Sequence, residues 1–399
     1  MPTNPYTPGA GKRPRALVGR GRQLVLIDHL IDQFEGGYSS EAMAWSGLRG
    51  MGKTVLLREG LRRLQDRGWL VGYYEIRQGV DIGVTVAEVL NRGQQLLPPG
   101  KPMSRAMSWL RSAAAMPKVT ASHGDLAVEL GIRPRDGAGR IPVDALDNLF
   151  LRLGAAAASA GVGAVFLLDE LQLLRRADLS ALLHASEAAQ DLPVTFIGAG
   201  LPNLPFLLAE AGSYSERLAF DRVDRLSNRD AKDALELPAA EHGVMFAPEV
   251  LKAILGRADG YPYFLQLYGQ ECWRAAGSPS DRPGTVIERA HFFEATAEVQ
   301  RQLDVGIYAI RVEKASPLER RYLATMASLG DSEIPSGAVA RMMGRSVGAL
   351  SPQRERLIEK GLVYSRAHGL LEFSVPGFSD YLRRNADLLS SLGEESPPG

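Results

Sequence analysis

The sequence predicts an α/β fold with a parallel sheet, and three observations predict it. The first is the stretch 42–57, AMAWSGLRGMGKTVLL, where an apolar run meets a glycine-rich turn and then helix formers. The second is GAVFLLDELQLL, in which the apolar run 164–168 closes on Asp169 and Glu170, as a buried parallel strand does. The third is alternation. Segments of helical period separate these runs from two more strand-like ones, WLVGYYEI at 69–76 and PVTFIG at 193–198.

The glycine-rich turn carries chemistry. Gly47, Gly52, Lys53 and Thr54 fit G-x-x-x-x-G-K-[ST]. Glycines let the backbone take φ > 0 and come close to an anion. Several N–H groups then face one concavity at the positive end of the next helix. Lys53 reaches the β- and γ-phosphates and the Thr54 hydroxyl holds Mg²⁺, so ATP and Mg²⁺ are the expected cofactors. Arg49, Gly50, Met51 and Val55 complete the nucleotide-binding stretch. The bland alternative, a chance glycine turn, fits the strand–loop–helix context poorly. Two carboxylates at the end of a buried strand are costly unless something positive sits there. Asp169 is expected near the metal and Glu170 beside the attacking water. The competing reading is a surface strand end with solvated acids.

The whole chain sets wider bounds. Its 399 residues suffice for two or three domains. Formal net charge is zero, so no global field favours nucleic acid or membrane. The one cysteine, Cys272, excludes an internal disulfide and fits a reducing compartment; its apolar helical setting points to packing. No apolar run reaches the ~18 residues of a membrane span. The start, MPTNPYTPGAGKRPR, lacks the apolar core of a signal peptide. A soluble, cytoplasmic protein with no membrane partner is expected.

In chain order, residues 1–16 read as an extended arm that either packs on the nucleotide domain or stays disordered. Val18, Gly19 and Arg20 then precede an amphipathic helix (Leu24, Ile27, Leu30, Ile31, Phe34). They are a helix start or an adenine-side wall. Helices are expected from 52 to 65, 82 to 97, 142 to 160 and 176 to 190, with an insertion at 98–140. Residues 17–226 form the nucleotide domain. Near its end Arg217, Arg222 and Arg225 cluster; Arg217 either acts in trans on a neighbour's γ-phosphate or is a surface ion-pair partner.

Ser227 and Asp230 resemble a capping box opening a helical lid and linker, 227–314. Within it, Gly260-Tyr261-Pro262 is either a plain helix start or places Tyr261 and Pro262 over the nucleotide. SPLE, 316–319, has Ser, Pro and Glu where a helix N-terminus wants them. Three helices and a hairpin at His368-Gly369 then match a winged helix-turn-helix over 315–385, with Pro352 a kink or restart of its third helix. That stretch holds ten Arg or Lys and seven Asp or Glu, net +3. Residues 386–399 read as a disordered tail.

Val18-Gly19-Arg20, GLRGMGKT, FLLDE, the Gly-Tyr-Pro lid and the C-terminal winged helix together resemble AAA+ ATPases of the origin-recognition-like group. They are also similar to the STAND ATPases. The resemblance spans 17–385. It implies a P-loop NTPase αβα sandwich with a parallel sheet, a helical lid, a C-terminal winged helix-turn-helix, and ATP-driven switching or assembly. Two departures favour a slow switch. The end of the fourth strand reads Gly198-Ala199-Gly200 where such ATPases carry a polar sensor, leaving Gln172 and Asn203 as candidates or no sensor at all. The lid also shows no clear sensor arginine. The expected function is an ATP-binding, slowly hydrolysing regulatory ATPase. The alternatives are an initiator-like protein assembled by ATP on double-stranded DNA through 315–385, or a nucleotide-stabilised scaffold for a protein partner or self-association. In the DNA reading Arg345, Arg354 and Arg356 enter the major groove and Arg366 reaches the backbone.

Overall fold

The computed structural model describes residues 4–9, 11–96, 100, 102–104, 143–367 and 369–386. Nearly all of the expected insertion and tail lie outside these residues. The chain divides into two compact units. One, the sheet unit, holds residues 20–47 and 52–224; the other, the helical unit, holds 1–19, 48–51 and 225 onward.

The sheet unit has five parallel strands: β1 Met43–Ser46, β2 Leu70–Glu75, β3 Ala164–Asp169, β4 Val194–Gly200 and β5 Ala219–Arg222. Their order is β2-β3-β4-β1-β5. The expected α/β architecture is borne out. Strands β1, β3 and β4 are buried along their whole length, which is why they read as unbroken apolar runs. The helices are α1 Gly21–Glu35, α2 Lys53–Asp66, α3 Ile82–Leu96, α4 Val143–Ala160, α5 Arg176–Ala188 and α6 Leu204–Ala211. Phe150 stacks on Phe166 of β3 at 4.9 Å, and Phe34 of α1 stacks on Trp69 at 5.5 Å. Burying such a ring contributes roughly 1.5–3 kcal/mol. Strand β5, four residues with alternating burial and two charges, was not anticipated in 213–226.

The helical unit runs α7 Asn228–Ala240, β6 Met245–Phe246, α8 Pro248–Ala258, α9 Pro262–Ala275, β7 Val286–Ile287 and α10 Arg289–Leu303. A π-turn, Asp304–Ala309, and α11, Ile310–Glu313, follow. Next come α12 Pro317–Leu329, β8 Ile334–Pro335, α13 Ser336–Met342, α14 Val347–Glu359, β9 Val363–Ala367, β10 Leu370–Phe373 and α15 Phe378–Arg384. Strands β8-β10-β9 form an antiparallel sheet. Pro352 does not interrupt α14.

The described part of the N-terminal arm is held within the helical unit. The Tyr6 hydroxyl donates to the Leu235 carbonyl at 2.5 Å, and its ring meets Trp273 edge-on at 6.1 Å. Gly269 makes room, since a Cβ there would stand 2.6 Å from the Tyr6 ring. Asn4 donates to the Gln270 carbonyl, and the Thr7 N–H to Gln266 Oε1. No helix of the described residues is long and apolar enough to cross a membrane.

At the start of α12 the anticipated capping box forms. Ser316 Oγ accepts the Glu319 N–H, and Glu319 Oε2 accepts the Ser316 N–H at 2.7 Å. The buried Glu319 carboxylate also accepts Arg356 Nε at 3.0 Å and Lys360 Nζ at 2.6 Å. Arg356, an exposed residue of α14, is thereby tied to α12 through its Nε. Burial pushes the Glu319 carboxyl upward, but the hydrogen bonds from Lys360, the Ser316 N–H and Arg356 outweigh it and hold the group below the usual carboxylate range. A depressed folded value stabilises the fold above the unfolded value, about 4.3, and that contribution is lost as pH falls through the folded value. Glu319→Gln is expected to cost about 2 kcal/mol at pH 7 and far less at pH 3 in urea denaturation. A pH-independent difference would show that the charge contributes nothing.

Candidate nucleotide site

A parallel sheet gathers the C-terminal ends of its strands at one edge. There β1 ends at Ser46, just before Gly47, β3 at Asp169, and β4 between them at Gly200. The Gly47 N–H donates to the Gly200 carbonyl at 3.1 Å. A Cβ on Gly47 would lie 2.4 Å from the Val223 carbonyl oxygen, so no larger residue fits. Gly52, at φ 93°, caps α2 in the left-handed region.

Lys53, buried at the first turn of α2, donates from Nζ to the Gly47 carbonyl at 2.7 Å. The Thr54 hydroxyl donates to Asp169 Oδ2 at 2.6 Å. The Tyr73 hydroxyl donates to the same oxygen at 3.1 Å, and the Glu170 N–H to Oδ1 at 3.0 Å. Asp169 is buried, and these three donors satisfy it. Burial, and then the Asp169 charge, push the Tyr73 phenol well above its ordinary value, against the Arg58 guanidinium 5.6 Å above the ring. Tyr73 is therefore a neutral donor at working pH. It was missed because a tyrosine in a strand reads as core; only the β2–β3 pairing brings it to Asp169.

Glu170 follows in the left-handed region, φ 55° and ψ 39°, and opens a single 3₁₀ turn, Leu171–Leu173. Gln172 Nε2 donates to Glu170 Oε2, and Gln172 Oε1 accepts the Leu201 N–H at 3.1 Å. Asn203 Oδ1, by contrast, is buried with no hydrogen-bond partner among the described residues. The hard oxygens of Thr54 and Asp169, side by side below a lysine and a turn where Gly47 admits no Cβ, fit Mg²⁺ carrying a triphosphate.

Val55 is buried in α2. Arg20 precedes α1, buried, and donates to the Asp224 carbonyl at 2.9 Å. Arg217 is exposed before β5, at the opposite end of the strands from Lys53; it donates to Gln190 Oε1 and lies 5.0 Å above the Tyr214 ring. Within the helical unit, Val18 is half-buried, and Gly19, at φ 66°, abuts Leu226 and Asp230. Met51 is buried there too. The buried Tyr261 hydroxyl donates to the Arg49 carbonyl, and its ring lies where a Cβ on Gly50 would go. Pro262 is the first residue of α9. Arg222 pairs with Asp224, and Arg225 with Asp259.

The fold and this edge define the class: a P-loop nucleotide-binding α/β domain. Residues 16–197 match the AAA ATPase domain family, and this part of the chain is an AAA ATPase domain, as the sequence resemblance implied. Residues 305–382 match a family described as a domain of unknown function. No curated protein matches the sequence. Among solved structures, a Walker-type ATPase of Pyrococcus abyssi is similar in fold, with a TM-score of 0.60 and 15% identity over 93% of this chain and 97% of its own. The Aeropyrum pernix ORC1 protein in complex with DNA gives 0.43 and 17% over 95% of each chain. The Thermotoga maritima RuvB Holliday junction branch migration motor gives 0.43 and 15% over 96% and 99%.

Proposed function

We propose that the protein is a cytoplasmic, ATP-binding, slowly hydrolysing regulatory ATPase. In this reading residues 17–226 are the nucleotide domain and 1–16 its arm. Nucleotide state controls a helical lid, 227–314, and a winged helix, 315–385. The observation that supports it is the meeting of Lys53, Thr54, Asp169 and Glu170 at one sheet edge. Lys53 exchanges the Gly47 carbonyl for phosphate oxygens. Thr54 and Asp169 hold Mg²⁺, which neutralises phosphate charge when bound. Glu170 orients the attacking water and takes its proton. Arg217, remote from these groups within its own sheet, acts on a neighbour's nucleotide. Slowness accords with the glycines that end β4. Lid control is supported inside the helical unit, where Tyr261 holds the tip of the glycine loop through Arg49.

Hydrogen exchange tests the coupling. ATP with Mg²⁺ is expected to slow amide exchange in 261–275 and 317–384 several-fold relative to ADP, with no such difference in Lys53→Ala. Equal exchange in both nucleotide states would leave a nucleotide-stabilised scaffold. Retention on double-stranded DNA only with ATP would favour the initiator-like alternative, which the exposed first turn of α14 beside Arg345 supports.

A further inference from the structure

We propose that Gln172 is the positioning residue for Glu170, and that it stands in for the polar side chain missing from the end of β4. The inference rests on the hydrolytic reading above and deepens it.

The Leu201 N–H, just past β4, can only donate, so it fixes which end of the Gln172 carboxamide is oxygen. The other end must then present Nε2, a donor, to Glu170 Oε2. The amide thus clamps the carboxylate to the strand end from which a polar side chain would otherwise reach. Two further features follow from this clamp. Glu170 sits in the left-handed region, uncommon for a residue with a Cβ, and needs a partner to hold it there. A Cβ on Gly200 would stand 2.6 Å from Gln172 Oε1, so with glycine there the carboxamide keeps its place without shifting.

The test uses full-length parent, Gln172→Ala, Gln172→Glu and Glu170→Gln. Three quantities are measured: phosphate release, affinity for a fluorescent ATP analogue, and Leu201 amide exchange in the nucleotide-free protein. Gln172→Ala is expected to lower kcat about tenfold or more, keep nucleotide affinity within about twofold, and speed Leu201 exchange by about tenfold or more. Gln172→Glu retains an acceptor for the Leu201 N–H but sets a second carboxylate against Glu170. It is therefore expected to keep Leu201 protected while losing turnover, a separation that a purely structural fastener would not produce. Unchanged kcat in both Gln172 variants, with Glu170→Gln inactive, overturns the proposal and leaves the hydrolytic reading intact. So does a kcat loss in Gln172→Glu that appears only together with loss of Leu201 protection. Equal turnover in parent and Glu170→Gln overturns the hydrolytic reading itself.

Discussion

Glu170→Gln binds ATP and Mg²⁺ like the parent but turns ATP over at least about a hundredfold more slowly. The substitution is isosteric, and its amide oxygen can still accept from Gln172 Nε2, so the local geometry is retained. What disappears is the proton acceptor. Asp169→Asn behaves differently. Asp169 receives three donors, from Thr54, Tyr73 and the Glu170 N–H, and an amide group would turn an NH₂ toward at least one of them. It is expected to lose Mg²⁺ dependence together with activity. Phosphate release paired with nucleotide titration separates the two variants. Parent-like turnover in Glu170→Gln would place the base elsewhere.

Lys53→Ala weakens Mg-ATP binding by roughly ten- to a hundredfold, the 1.5–3 kcal/mol of a charge-assisted contact to phosphate. The buried ammonium already has its place, on the Gly47 carbonyl at the mouth of the glycine turn. Removing it leaves the apolar body of the sheet untouched, and the melting temperature without nucleotide should move little. Titration with a fluorescent ATP analogue, beside a thermal melt, checks both statements. Equal affinity in variant and parent would sink the assignment of the glycine turn.

The parts legible in the sequence were those whose physics is local. The Gly47–Thr54 turn is written in consecutive residues, and β3 declared itself because burial on both faces forces an unbroken apolar run. The Ser316–Glu319 box needs only four residues. What escaped depended on partners distant in the chain. Tyr6 reads only as part of an extended arm because its pocket is built by Leu235, Gly269 and Trp273. Tyr73 gains its role from pairing ninety-six positions away. Arg356 is exposed as its place in α14 suggests, but its tie to Glu319 of α12 spans thirty-seven positions. Gln172 was noticed as a candidate, yet its two hydrogen bonds exist only once β4 lies beside β3.

The packing of Gly200 against Gln172 has a consequence for how this site can change over generations. An asparagine at 200 presses on Gln172 Oε1 and on Leu204, so the carboxamide that holds Glu170 has to move to admit it. Each single substitution is therefore expected to lower turnover through the same contact, the hold of Gln172 on Glu170. Positions 172 and 200 are expected to be coupled, and a double-mutant cycle of Gln172→Ala and Gly200→Asn on kcat measures their coupling energy.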